Sequence, residues 1–158
     1  DAGGVTLVPA MAGLGAPHWN DNVTGTISGM TLATTRAHIA RATLDAIVLQ
    51  VADVFHAMEK DLGASLHGLL ADGGASSNSF LMQLQADVLD KPVLRSSQAE
   101  VGTIGVAAMA LQALHAVPAD LDEERIELKP RPEAAAWRNQ VFHRWRGLLG
   151  QLTRKIEA

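Results

Sequence analysis

The residues with the clearest chemical potential form one short stretch, Asp72-Gly73-Gly74-Ala75-Ser76-Ser77-Asn78. Paired glycines permit positive φ and let another group approach the backbone closely. An apolar run, Leu69–Ala71, precedes the stretch, and apolar side chains recur at helical spacing after it. The first turn of a helix has unpaired N–H groups and partial positive charge, which suit an anion. The pattern therefore predicts a strand, a tight turn and a helix that could seat a phosphate or a nucleotide.

Taken alone, the turn leaves ligand binding open. Strand–Gly–Gly–helix turns are common in α/β folds, and this one lacks a complete phosphate-loop or dinucleotide signature. A second glycine pair, Gly13 and Gly15, is less convincing, because Pro17 and Trp19 follow where a third glycine and a helix would be needed. For His18 and Trp19 two interpretations are open. Either both line a ligand cleft, or Trp19 closes the edge of the core while His18 faces solvent.

The elements before the turn are predicted from their apolar patterns. Strands are expected at Val5–Val8 and within Thr24–Met30, and Thr34 or Thr35 can cap a long helix that reaches about Lys60. The predicted buried stripe of that helix is Leu44, Ile47, Val48, Val51, Val54, Phe55 and Met58.

One side of the same helix carries His38, Arg41 and Asp45 at intervals of three and four residues. Such a cluster is typical of a solvated face or a local ion pair, and a role in ligand binding is the alternative.

The elements after the turn continue the alternation of helix and strand. The helix from Ser79 should bury Leu81, Leu84 and Val88, and a strand is expected at Lys91–Arg95, followed by a polar loop over residues 96–100. Another helix should run from Val101 to near His115. Its residues Gly102, Gly105 and Ala108 leave one face nearly bare, which favours close packing against a neighbouring element or a ligand.

Composition shifts to charge and proline between Pro118 and Pro132, which predicts a linker or surface excursion. Residues 133–157 should form a terminal amphipathic helix, docked by its apolar side. Its stripe is Val141, Trp145, Leu148, Leu149, Leu152 and Ile156. The predicted organisation is therefore a nucleotide-side domain over residues 1–117, a linker over 118–132 and a C-terminal helix over 133–158.

The composition narrows the class of protein. A net charge of −4 over 158 residues gives no general attraction to nucleic acid or to an anionic membrane surface. The absence of cysteine excludes disulfides and thiolate metal sites. No apolar run approaches the roughly 20 residues that span a bilayer. We therefore expect a cytoplasmic domain with no nucleic-acid or membrane partner.

Five segments together resemble the C-terminal domain of the FGGY carbohydrate kinases, and within that family the glycerol kinases most. They are Gly13–Trp19, Gly25–Thr31, Thr34–Ile47, Asp72–Asn78 and Leu81–Asp87. The resemblance implies an α/β fold of the actin-like, ribonuclease-H-like type, present here incompletely. It implies that the backbone of Gly73 and Gly74 approaches a phosphate of ATP, and that the Asn78 side chain contacts the adenine or ribose side.

The resemblance also implies transfer of a phosphoryl group from ATP, with Mg²⁺, to a hydroxyl of glycerol or a sugar. In the family the catalytic base is an Asp on a segment before the start of this sequence, as are the metal-binding acids. No catalytic residue is therefore expected in this chain, its metal ligands are not assigned, and it should be inactive without an N-terminal kinase domain. A homo-oligomer is possible.

Three interpretations follow. The chain is the nucleotide-side piece of a polyol or sugar kinase, with a xylulose- or gluconate-type kinase as the variant. It is a non-catalytic actin-like module that binds nucleotide or a partner. Or it is a structural fragment that pairs with its missing half. The fold alone does not separate them.

Overall fold

A computed structural model describes residues 1–97, 101–115 and 124–154. Its elements, in chain order, are β1 (Thr6–Val8), β2 (Thr26–Ser28), α1 (Arg36–Leu62), β3 (Leu69–Ala71), α2 (Ser79–Leu89), β4 (Val93–Ser96), α3 (Val101–Ala113), β5 (Arg125–Leu128) and α4 (Ala135–Arg154), with 3-10 helices at Gly74–Ser77 and Pro132–Ala134. They form two compact units. The first contains Asp1–Ser65 and the described part of Pro132–Ala158, and the second contains Leu66–Arg131.

The first unit is built around β1. This strand pairs antiparallel with β2, placing Leu7 opposite Ile27, and it contacts both α1 and α4. Of the predicted stripe of α4, Val141, Trp145, Leu148 and Leu149 are buried, and Leu152 is half-buried. Ile156 lies outside the described residues. The core of this unit therefore forms where α1 and α4 pack against β1.

Helix α1 begins and ends where the sequence predicts. The Thr35 hydroxyl accepts a hydrogen bond from the His38 amide, and Gly63 ends the helix in the left-handed conformation, with φ +63°. Both ends are set by local chemistry, the side-chain cap and the glycine that adopts positive φ without strain. The boundary is therefore readable from residues within a few positions of it.

The buried face of α1 differs from the predicted stripe. Of that stripe only Val48 and Phe55 are buried, whereas Ile47, Val51, Val54 and Met58 are exposed. The helix instead turns small side chains and Leu49 toward the interior. The buried residues are Ala42, Asp45, Ala46, Val48, Leu49, Ala52 and Phe55. Alanines let β1 and α4 approach closely, and a pattern weighted toward large apolar residues misses such a face.

A local ion pair accounts for part of the charged cluster on α1. The Arg41 Nε donates to Asp45 Oδ1 at 2.7 Å, one helical turn apart. Asp45 is 5% exposed. Its pKa is raised because burial disfavours the charged carboxylate, and the hydrogen bond and charge of Arg41 only partly oppose this.

We expect the raised pKa of Asp45 to be visible in the pH dependence of stability. The folded chain holds the proton more tightly than the unfolded chain, so Asp45 favours folding less as pH rises from about 3.8 through the raised value. An asparagine side chain resembles the protonated acid. The Asp45→Asn variant should therefore gain free energy of unfolding relative to the parent chain over this window, measured by urea unfolding at a series of pH values. The opposite trend would mean that Arg41 outweighs burial.

The second unit contains a mixed sheet in the order β3-β4-β5. Strand β3 pairs parallel with β4, and β5 pairs antiparallel with β4, with Ile126 opposite Arg95. Strand β5 falls inside the segment predicted as a linker, of which residues 118–123 lie outside the described part. Its alternating Arg125 and Glu127 are exposed, so only its pairing with β4 makes it a strand.

Helix α2 packs on this sheet, and its predicted apolar residues Leu81, Leu84 and Val88 are buried. Asp87, 0% exposed, accepts hydrogen bonds from the Gln83 side chain and from the backbone and guanidinium of Arg131. These bonds join the helix to the segment after β5. They anchor α2, and with it the turn that precedes it.

The close packing predicted for the small-residue face of α3 is not found. No residue of α3 is buried, and a Cβ added at Gly102 or Gly105 would meet no heavy atom within 4 Å. Within the described residues these glycines therefore have open space in place of a close neighbour. The loop residues 98–100 before α3 lie outside the described part.

Candidate nucleotide site

The Asp-Gly-Gly turn adopts a conformation that requires glycine at its first glycine position. Gly73 has φ +78° and ψ 178°, a region of backbone conformation that residues other than glycine rarely adopt. Gly74 then begins the 3-10 helix Gly74–Ser77, and α2 starts only at Ser79. The predicted order of strand, tight turn and helix is therefore present, with one turn of 3-10 helix between the glycines and α2.

Serine hydroxyls hold this turn from within. Ser76 Oγ donates to the Gly73 carbonyl at 2.7 Å, and Ser77 Oγ donates to the Gly74 carbonyl at 2.6 Å. The amides of Gly74 and Ala75 have no hydrogen-bond acceptor among residues 1–97, 101–115 and 124–154. The carbonyls are thus satisfied internally, while the two amides at the front of the turn are available to an anion.

Asn78 has two functional groups with different roles. Its Oδ1 accepts a hydrogen bond from the Leu81 amide at 3.1 Å and so caps α2. The residue is exposed, and its Nδ2 has no hydrogen-bond partner in the part of the chain that the structure describes. A ligand at this position would therefore be met by an amide donor, because the acceptor oxygen already serves the helix.

A cavity of about 230 Å³ lies beside the turn, at the carboxyl ends of β3 and β4. Its wall includes Asp72, Ser96, Val101 and Arg125. Crevices at the carboxyl ends of parallel strands are where open α/β sheets bind ligands. Ser96 and Arg125 were missed by sequence reasoning, because only the pairing of β4 with β5 brings them to Asp72.

The structure gives His18 and Trp19 different surroundings. His18 Nε2 lies 3.0 Å from Asp53 Oδ2, and the buried Trp145 Nε1 donates to the same oxygen at 2.7 Å. Trp19 is 79% exposed. The interpretation that Trp19 closes the core edge is therefore wrong, whereas His18 is exposed, as the same interpretation expects. His18 fastens the loop to α1, and Trp145 occupies the core.

Two features are absent from the described ranges of the chain. Within them no three His, Cys, Asp or Glu residues are grouped so that they could hold a metal ion. Of the helices described, none combines the length and the apolar character that crossing a membrane requires.

The model of the FGGY family of carbohydrate kinases, C-terminal domain, matches residues 1–114. The chain belongs to this family. A glycerol kinase of Oleidesulfovibrio alaskensis is 54% identical over 110 residues, covering 70% of this chain and 22% of the relative. The chain therefore spans about a fifth of the length of that FGGY relative.

Solved FGGY kinases also share the fold. A Plasmodium falciparum glycerol kinase solved with ADP has 27% identity and a TM-score of 0.75, covering 96% of this chain and 31% of its own. A gluconate kinase from Lactobacillus acidophilus has 22% identity and a TM-score of 0.78, covering 96% of this chain and 32% of its own, and shows the fold alone. The predicted actin-like, ribonuclease-H-like α/β class is confirmed, as a partial domain.

Proposed function

We propose that this chain is the nucleotide-binding part of an ATP-dependent kinase that phosphorylates a hydroxyl of glycerol. The observation that carries the proposal is the 54% identity to a glycerol kinase across the segment that contains the turn. A related kinase solved with ADP supports a nucleotide as the ligand. Transfer itself would need an N-terminal kinase domain as partner, which supplies the base.

In this proposal the turn contacts the nucleotide in two ways. The backbone at Gly73 and Gly74 approaches a phosphate, since even a Cβ added at either glycine would meet no heavy atom within 4 Å, and the approach is open. Asn78 Nδ2 donates to the adenine or ribose side, because its Oδ1 is held by Leu81. The cavity next to Asp72 provides a volume into which part of the nucleotide could extend.

The residues that the structure describes do not fit a protein-held metal site. Asp72 is the carboxylate in the cavity wall, and the described ranges contain no cluster of metal-ligating side chains. Mg²⁺ usually keeps several waters and binds one or two carboxylates together with substrate phosphates. We propose that Mg²⁺ arrives with ATP and that its protein ligands, like the base, lie outside this chain.

A cytoplasmic location and a homo-oligomeric state are further parts of the proposal.

The first test separates binding from folding at Asn78. Asn78→Asp keeps an oxygen that can cap α2, but replaces the free amide donor with negative charge. We expect the Kd for ATP to rise about tenfold or more, as loss of a hydrogen bond and added repulsion predict. Binding is measured by isothermal titration calorimetry on the 158-residue chain, and folding by thermal unfolding.

Asn78→Ala provides the comparison, since it removes both the donor and the cap and should also lower stability by about 1 kcal/mol. Equal ATP affinity in the parent chain and both variants would remove Asn78 from the site. Failure of the parent chain to bind ATP or ADP would contradict the nucleotide proposal itself. ADP release with glycerol by the chain alone would contradict the assignment of the base to another segment.

A sugar acceptor is the second candidate, because the fold also matches a gluconate kinase. The acceptor is best decided on a protein that joins this chain to its N-terminal kinase domain. Rates with glycerol, gluconate and xylulose would be compared at equal ATP. Activity with gluconate or xylulose but not with glycerol would contradict the glycerol proposal and support a sugar kinase. ATP binding without activity on any of the three compounds would favour a non-catalytic module.

A further inference from the structure

Arg95 makes a set of contacts that no role proposed so far explains. It lies on β4, the central strand of its sheet, where it is paired with Ala71 of β3 and Ile126 of β5. Val93, two residues earlier on the same face of the strand, is buried. Strand β4 contacts α2, and the Arg95 side chain reaches Ser79 at the N-terminal end of α2, next to the turn.

One nitrogen of the guanidinium contacts three acceptors at the end of the turn. Arg95 Nη1 lies 3.2 Å from the Ser76 carbonyl, the Ser77 carbonyl and the Ser79 hydroxyl. Asn78 sits between these acceptors in the chain. Because β4 is held on both sides, the guanidinium fixes the backbone on each side of Asn78 relative to a rigid sheet.

The charge of Arg95 is not neutralised by a carboxylate within the ranges that the structure describes, where its hydrogen-bond partners are all neutral oxygens. A charged donor makes stronger hydrogen bonds than a neutral one, and it is also attractive to a nearby phosphate. Two roles are thus possible for such a residue, holding the turn or contacting the ligand. The three contacts to the turn and to the first residue of α2 favour the first.

We propose that Arg95 is a positioning residue, which holds Asn78 in the geometry needed to cap α2 and to donate to a nucleotide. The part that concerns the nucleotide rests on the proposed function. The part that concerns the turn does not, since the Asn78–Leu81 hydrogen bond exists without a ligand. The sequence pattern places Arg95 in a strand and indicates nothing more, because its partners lie 16 to 19 positions away.

The first experiment needs no nucleotide. Amide hydrogen exchange is measured at Leu81 in the parent chain, Arg95→Met, Arg95→Lys and Lys129→Met. Lys129 is an exposed residue of the same unit, paired with Glu127 at 3.6 Å, so its variant controls for lost positive charge. Arg95→Met should exchange at Leu81 at least about tenfold faster, Arg95→Lys less so because an ammonium lacks the planar fork, and Lys129→Met as the parent does.

The second experiment tests whether Arg95 acts through Asn78. Kd for ATP is measured for Arg95→Met, Asn78→Asp and the double variant. Arg95→Met should raise Kd about tenfold, and the double variant should bind no more than about twofold more weakly than the weaker single variant. Such non-additivity is what residues acting as one unit show. If Arg95→Met does not fold, Arg95→Lys replaces it in both experiments.

Leu81 exchange that is unchanged in Arg95→Met would overturn the proposal. Additive losses in the double variant would also overturn it, because Arg95 would then act on the nucleotide independently of Asn78. If the parent chain binds no ATP while Arg95→Met accelerates exchange at Leu81, the proposed function fails and the positioning of the turn stands. Faster exchange together with non-additive losses would support both.

Discussion

Trp145→Ala is expected to lower the free energy of unfolding by about 3–5 kcal/mol, the range found when a large aromatic side chain is removed from a packed core. Trp145 is 0% exposed and lies on α4, which covers β1. Its indole also donates to Asp53 at 2.7 Å. The change is measured by urea unfolding followed by far-ultraviolet circular dichroism, which does not depend on tryptophan fluorescence.

Trp145→Phe is the matched control, since it keeps most of the ring volume and removes the indole N–H. Its free energy of unfolding should fall by less than that of Trp145→Ala, because most of the core packing is kept. The expected loss is about 1–3 kcal/mol, the range for a lost hydrogen bond to a carboxylate. His18 remains to pair with Asp53 in both variants. A loss below about 1 kcal/mol for Trp145→Ala would show that α4 does not complete the core of the first unit.

Gly73→Ala should change the stability of the chain, and Gly74→Ala should change its affinity for ATP. Gly73→Ala should destabilise the chain by about 1–3 kcal/mol, because φ +78° with ψ 178° is strained for alanine. Gly74 has no positive φ and no neighbour within 4 Å of an added Cβ. Gly74→Ala should therefore change stability by less than about 0.5 kcal/mol, yet raise the Kd for ATP at least about tenfold, since its methyl group occupies the approach to the backbone.

Thermal unfolding and calorimetric titration with ATP on the same preparations measure both effects. Each variant serves as the control for the other, because both replace a glycine of one turn by alanine. A Gly74→Ala variant that binds ATP like the parent chain would exclude close approach of a phosphate to this backbone. A Gly73→Ala variant of unchanged stability would show that the turn relaxes without cost.

Features set by local chemistry were readable from the sequence, and features set by distant contacts were not. Thr35 and Gly63 define α1 through groups a few residues away, and the Asp-Gly-Gly turn was found for the same reason. The buried face of α1 is set by its packing against β1 and α4. A pattern of large apolar residues within α1 does not indicate that packing. The exposed Ile47 and Val51 show the size of that error.

The candidate site shows the same division. Gly73, Gly74 and Asn78 lie within one short segment and were proposed from sequence, whereas their roles as ligand contacts stay predictions. Arg95, Ser96 and Arg125 join the turn or its cavity only because β4 pairs with β3 and with β5. Strand β5 itself has too few residues and too much charge to be distinguished from a surface segment.

The first unit is discontinuous in sequence, with α4 returning from residue 135 to cover β1. During synthesis its opening portion, Asp1–Ser65, leaves the ribosome before the helix that carries Trp145 is made. The contiguous segment Leu66–Arg131 has no such dependence on a later helix. A nascent chain that stops short of α4 would thus lack the helix that packs against β1, and the apolar surface between them would be open to a chaperone.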